Sequence, residues 1–141
     1  MIAKMLSYIY NKKQGLKMAF EIDFYEKENG KSEILDFIDE LRNKKENDKN
    51  ARIQYKQIIL YIELLSKNGT ALPQNITKHL EDDIWELRPG NNRVLYFFID
   101  KNNTYVLLHH FRKTTQKTPK QEIEKAKKER IDYLKRKVEK K

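Results

Sequence analysis

Between Ile84 and Pro119 the chain carries three short apolar runs separated by turn-forming residues, and this stretch leaves few folds open. Ile84-Trp85-Glu86-Leu87 comes first, then Arg93-Val94-Leu95-Tyr96-Phe97-Phe98-Ile99, then Tyr105-Val106-Leu107-Leu108-His109-His110-Phe111. Pro89-Gly90-Asn91-Asn92 and Asp100-Lys101-Asn102-Asn103 separate them. Short runs rich in aromatic and β-branched residues, bounded by Gly, Pro, Asn and Asp, predict strands in an antiparallel meander. Basic residues stand at the strand ends: Arg88, Arg93, Arg112 and Lys113, with Lys117 just beyond. Neighbouring strand ends lie side by side, so the spacing predicts that these cations converge on one patch. Such a patch suits a polyanion, and a phosphodiester above all.

The rest of the chain supplies what that sheet packs against. Phe20, Ile22 and Phe24 alternate with Glu21, Asp23 and Tyr25, which predicts a first strand with one buried face. Asn29-Gly30 ends it. Ser32 then caps a helix to about Lys45, with Ile34, Phe37, Ile38 and Leu41 on one side. After Asn47-Asp48, a second helix runs to about Lys67. Its stripe is Ala51, Tyr55, Ile58, Ile62 and Leu65, widened by Ile59, and Asn68-Gly69 closes it. The short link predicts an antiparallel helical hairpin. Ile76 and Leu80 anchor the approach to the sheet. Pro119, with Thr118 as cap, opens a final charge-rich helix with a thin seam of Ile123, Ala126, Arg130, Leu134 and Val138. The expected order is strand, two helices, three strands, helix. Met1–Lys17 reads as an N-terminal extension that the domain of residues 18–141 does not need.

Length and charge narrow the function. A chain of 141 residues suits one domain with a real core. No apolar run reaches the roughly 20 residues of a membrane helix, and the first residues lack the pattern of a signal peptide. There are no cysteines, which removes disulfides and thiolate chemistry and suits a reducing cytoplasm. Three glycosylation sequons, at Asn68, Asn75 and Asn102, then read as chance. The net charge of +9 is unevenly placed: +4 over residues 1–17, −3 over 18–111 and +8 over 112–141. That asymmetry points to nucleic acid, an anionic surface or an acidic partner, or to a solvated Lys-rich tail.

Adjacent His109 and His110 invite a metal, but successive strand residues point to opposite faces and cannot grip one ion. No metal or other cofactor is expected. His110 shares strand parity with Arg112 and is the candidate proton carrier; a hydrogen-bonded core histidine is the bland alternative. Glu81-Asp82-Asp83 reads as a solvated turn. Glu86 alternates with Trp85 and Leu87, so it faces away from the larger core, toward Arg93 or Arg88 as an ion pair. There is no nucleophilic Ser/His/Asp pattern and no Gly-rich phosphate loop.

Taken together, Tyr61-Ile62-Glu63-Leu64-Leu65, Lys78-His79-Leu80, Ile84-Trp85-Glu86-Leu87-Arg88-Pro89, the Arg93 strand, Leu107-Leu108-His109-His110-Phe111 and Thr115-Gln116-Lys117-Thr118-Pro119-Lys120 resemble the phage-derived HigB toxins of the RelE/ParE superfamily. The resemblance spans about Phe20 to Leu134. It implies an α+β, RelE-like fold, with an N-terminal strand and helical hairpin packed on a twisted antiparallel sheet and a C-terminal helix. It further implies the toxin of a type II toxin–antitoxin system: a metal-independent endoribonuclease that cuts mRNA in the ribosomal A site and so inhibits translation in the cytoplasm. On that basis Arg88 and Arg93 meet the scissile phosphate, Arg112 or Lys113 the developing charge or the leaving group, and His110 carries a proton. Lys78, Lys117 and Lys120, with the C-terminal lysines, hold mRNA and ribosomal RNA. The implied partner is a helix-turn-helix, HigA-like antitoxin in a hetero-oligomer. RelE-like proteins place a lysine where this chain has Glu86, which leaves the general base open. A ParE-like inhibitor of DNA gyrase and a non-catalytic basic nucleic-acid-binding module are the alternatives.

Overall fold

A five-stranded sheet lies between the helical hairpin and the last helix in the computed structural model, which describes residues 19–139. The extension assigned to Met1–Lys17 lies outside the described residues, as does the Val138 side chain. The elements are β1 (Glu21–Phe24), α1 (Glu33–Lys44), α2 (Lys49–Asn68), β2 (Thr77–Glu81), β3 (Ile84–Leu87), β4 (Asn92–Ile99), β5 (Thr104–Arg112) and α3 (Lys120–Glu139). The architecture is the expected α+β one. Strand order is β1-β5-β4-β3-β2, antiparallel except for β1, which runs parallel to β5 at the edge. The strand β2, at the other edge, is one more than the sequence pattern predicts.

Local chemistry sets the helix ends. Ser32 Oγ accepts from the Leu35 amide at 3.2 Å, and Asp48 Oδ1 accepts from the Ala51 amide at 3.2 Å. Gly69 closes α2 at φ +58°, its amide donating to the Leu65 carbonyl. The apolar stripes of α1 and α2 then cover one sheet face. Ile34, Ile58, Ile62 and Leu65 pack on Ile22, Leu87, Tyr96 and Leu107. α3 covers the other face, where Ala126 meets Leu95, Phe97, Val106 and Leu108.

The pairing of β4 with β5 has one irregularity. Leu95 pairs with His109 and Tyr96 with Leu107, so Leu108 is an extra residue in β5. Such a bulge lets two successive side chains share a face. Leu108 and His109 both turn toward α3, and every later residue of β5 changes sides.

The α3 seam is more polar than its sequence suggests. Arg130 does not sit in an apolar row: its Nε lies 2.6 Å from Asp83 Oδ2 and its guanidinium over the Phe97 ring. Tyr133 Oη donates to Asp23 at 2.5 Å, and Tyr25 Oη to Asp132 at 2.7 Å. His109 is fully buried, with Nδ1 2.5 Å from Glu129 Oε1 and Nε2 3.0 Å from Glu122 Oε1. It is a hydrogen-bonded core histidine and ties β5 to α3.

Two glycines separate backbone strain from steric fit. A Cβ at Gly30 (φ +83°) meets nothing within 4 Å, whereas one at Gly69 lands 2.6 Å from Tyr105 Oη and 3.1 Å from the Phe20 ring. Gly30→Ala is expected to cost about 1–2 kcal/mol for the left-handed backbone alone. Gly69→Ala adds overpacking of roughly 1–3 kcal/mol more. Urea unfolding of the two variants checks this ranking, and equal midpoints would refute it.

Candidate active site

The turn between β3 and β4 begins the site. Arg88 carries the β2 pairing one residue past β3, its amide donating to the Ile76 carbonyl at 2.8 Å. Gly90 follows at φ +62°, and its carbonyl accepts from Arg93 Nη1 at 2.8 Å. The same Nη1 donates to the Asn92 carbonyl at 2.8 Å. The Arg93 guanidinium is thus folded back on its own turn and buried. Although it opens a strand beside a turn, the residue is only 7% exposed.

What draws it inward is Glu86, 1% exposed on the α3 side of β3. Glu86 Oε1 lies 3.4 Å from Arg88 Nε and 3.8 Å from Arg93 Nε. Its other oxygen accepts from Thr118 Oγ1 at 2.6 Å. Arg88 Nη1 donates to the Gln74 carbonyl at 3.0 Å, while its buried Nε has no hydrogen-bond partner. Burial lowers the Arg93 guanidinium from its ordinary value, while Glu86 beside it pulls the other way.

The segment after β5 roofs this pair. The Lys113 amide donates to the Asn91 carbonyl at 2.8 Å, which extends the β4–β5 pairing past Arg112. From there the chain crosses over Glu86 to Thr118. The result is a narrow cleft lined by Glu86, Arg93, Phe111, Lys113 and Lys117, with Thr114–Gln116 along its mouth. One carboxylate among Arg93, Lys113 and Lys117 leaves the cleft cationic, with Arg88 behind Glu86. Its enclosed space is about 10 Å³, room for one small group, and the surrounding charges favour an anion there.

The structure divides the cations that the sequence pattern brings together. Arg93, Lys113 and Lys117 line the cleft, and Arg88 reaches Glu86 at its edge. Arg112 does not: the bulge turns it to the hairpin face, where Nη1 donates to Gln54 at 3.0 Å and to Asn92 at 3.3 Å. His110 keeps its parity with Arg112 and lies on the same face, its ring stacked 3.7 Å from that of Phe37 in α1. It is therefore remote from the cleft. Lys78 is exposed and sits opposite Glu86 in the β2–β3 register. Lys120 is paired with Glu81 at 2.9 Å and Glu124 at 3.5 Å. Two features escaped sequence reasoning. Thr118 donates to Glu86, and nothing in the Thr-Pro pattern marks that bond. The Glu122–Glu129 spacing does mark one face of a helix, and it was available as a partner signal for His109.

The family described as phage-derived protein Gp49-like matches over residues 36–130. No curated protein matches the chain. Among solved structures, it is similar to an archaeal RelE–RelB complex from Pyrococcus horikoshii, at a TM-score of 0.47 and 15% identity, over 67% of this chain and 96% of that one. It is also similar to a RelBE toxin–antitoxin complex from Mycobacterium tuberculosis, at a TM-score of 0.39 and 14% identity, over 67% and 99%.

The His110 environment has a consequence for pH. Burial lowers its pKa to about 4, helped by His109 and Arg112 and opposed by Glu33 and Glu40. The folded value lies below the unfolded one, so the unfolded chain binds the proton more readily. The fold is unpenalised above about pH 6.5 and loses stability as pH falls from there toward 4. Between pH 7 and 5 this group should cost on the order of 2 kcal/mol. A His110→Phe variant is expected to show a shallower loss over that range in chemical denaturation, and a parallel loss would refute it.

Proposed function

We propose a function that starts from the family: the chain belongs to the phage-derived Gp49-like family of RelE/HigB-type toxins. It is the toxin of a RelE-like toxin–antitoxin system, and it acts by cutting mRNA in the ribosomal A site. The observation that supports this is the cleft over Glu86, lined by Arg93, Lys113 and Lys117, with Arg88 held on the same carboxylate. The nucleophile is the substrate's own 2′-oxygen. It attacks the adjacent phosphorus, the bond to the 5′-oxygen breaks, and a 2′,3′-cyclic phosphate and a 5′-hydroxyl result. A base takes the 2′ proton and an acid returns one to the leaving oxygen. This chain's part is electrostatic: cations already held by Glu86 stabilise charge as it builds on the phosphoryl oxygens, without reorganising at that moment.

His110, stacked under α1, is too far from the cleft to carry the proton, so that role passes from it. Arg112 acts indirectly, by fixing Asn92 at the start of β4. The antitoxin partner fits the same scheme, as a protein that masks the cationic cleft in the cytoplasm. No described helix is long and apolar enough to cross a membrane.

Primer extension on mRNA after brief induction tests this reading. Codon-phased cuts are expected. Gyrase-linked DNA breaks would instead mean a ParE-like poison, and neither would leave a binding module. The buried pair gives a sharper check. Arg93→Ala should lower cleavage roughly 10²–10³-fold and also destabilise the fold by roughly 3 kcal/mol, because Glu86 keeps its charge. Adding Glu86→Gln should restore much of the stability and none of the cleavage. Thermal melting and cleavage of programmed ribosomes separate the two effects. A double variant that regains cleavage would remove Arg93 from the chemistry.

A further inference from the structure

Beside the cleft lies a second depression that the proposed chemistry does not use. It is a groove of about 530 Å³ between β2 and the first turn of α3, within the roughly 300–1,000 Å³ typical of small-molecule sites. Its floor is apolar, made by Leu80, Pro119 and Ile123, all half-buried. Its rim carries Lys117 and Lys120. Lys117, Thr118 and Pro119 line both the groove and the cleft, so the two are continuous. Thr118 is the wall between them, held by its bond to Glu86 at 2.6 Å.

We propose that this groove is a nucleoside subsite for single-stranded RNA, holding the nucleotide next to the phosphodiester in the Arg93–Glu86 cleft. The inference rests on the RNA-cleaving reading above and extends it to a place for the flanking base. A nucleobase has flat apolar faces and a ribose-phosphate on one side. The groove has an apolar floor and cations on one rim. Glu81, the acidic group on that rim, is held by Lys120 at 2.9 Å and Lys127 at 2.8 Å, and their bonds lower its pKa to about 2. It therefore stays ionised and paired with Lys120 and Lys127, and Lys117 is the cation the rim leaves toward a phosphate. Leu80, Pro119 and Ile123 offer surface and no hydrogen-bonding edge, so the subsite binds any base and adds affinity without reading sequence. Its continuity with a cationic cleft favours an RNA strand over the side chains of a protein partner.

The test uses the full chain, labelled with ¹⁵N, and a single-stranded hexaribonucleotide carrying 2′-O-methyl groups so that it is not cut. Amides of Leu80, Glu81, Lys117, Thr118 and Lys120 to Ile123 should shift with the same saturation as those of Arg93 and Lys113. Ile123→Glu should weaken binding roughly five- to tenfold, since the apolar contact beneath one base is lost, while the Arg93 and Lys113 shifts still saturate. Lys117→Ala, at an exposed position, should weaken it by a smaller factor and steepen less with added salt. If Ile123→Glu does not fold, the groove amides of the parent still decide. Cleft shifts without groove shifts overturn the subsite and leave the RNA reading standing. No shifts in either region overturn both. Groove amides that ignore RNA and move only in the complex with the antitoxin make the groove a protein surface, which also overturns the subsite.

Discussion

One extra residue in β5 decides which side chains reach the cleft. Up to Leu107 the strand alternates simply, with Tyr105 and Leu107 toward the hairpin and Val106 toward α3. Had that alternation continued, His110 and Arg112 would point to the α3 side, beside Glu86 and Arg93. Leu108 breaks it. The bulge puts Leu108 and His109 on the α3 face together, and the register shift reverses everything after them. Phe111 then lines the cleft, His110 stacks under Phe37, and Arg112 reaches Gln54 in α2. The same shift gives α3 its buried polar anchor, since His109 faces Glu122 and Glu129 only because of it.

Glu86 carries the second constraint. A carboxylate buried this fully is tolerated only with partners, and removing one partner leaves a charge that water cannot reach. The cost of burying it is offset by two guanidinium groups and a hydroxyl from three separate segments: the β3–β4 turn, β4 and the loop before α3. The carboxylate therefore fixes the relative positions of those segments. The anion orders the arginines, and the cleft remains cationic because Lys113 and Lys117 outweigh it.

Much of the fold was legible because it depends on short-range rules. The hairpin stripes, the Ser32 cap and the Gly69 terminus follow from spacing and capping chemistry alone. β2 was not legible. Thr77-Lys78-His79-Leu80-Glu81 is polar and poor in β-branched residues, as suits an edge strand with two exposed positions. The bulge was not legible either, since Leu107-Leu108-His109-His110 contains no glycine or other local mark. The convergence of Arg88 and Arg93 on Glu86 needed only strand parity and was expected. The departure of Arg112 needed the bulge and was not.

The charge of the C-terminal segment also changes meaning once its partners are known. Sequence alone reads Glu81-Asp82-Asp83 as a solvated turn and the lysines of α3 as free for a polyanion. In the fold the two sets meet. Lys120 and Lys127 hold Glu81, Lys127 also reaches Asp82, and Arg130 holds Asp83. These cations dock α3 on the β2–β3 turn, and their long-range field is largely cancelled there. Among the described residues, Lys113 and Lys117, which line the cleft, make no ion pair, and neither do Lys78 on β2 or Lys128 on α3. The strong charge asymmetry of the sequence therefore overstates how much of the C-terminal helix is free to meet a polyanion, since three of its cations are engaged in holding it to the β2–β3 turn.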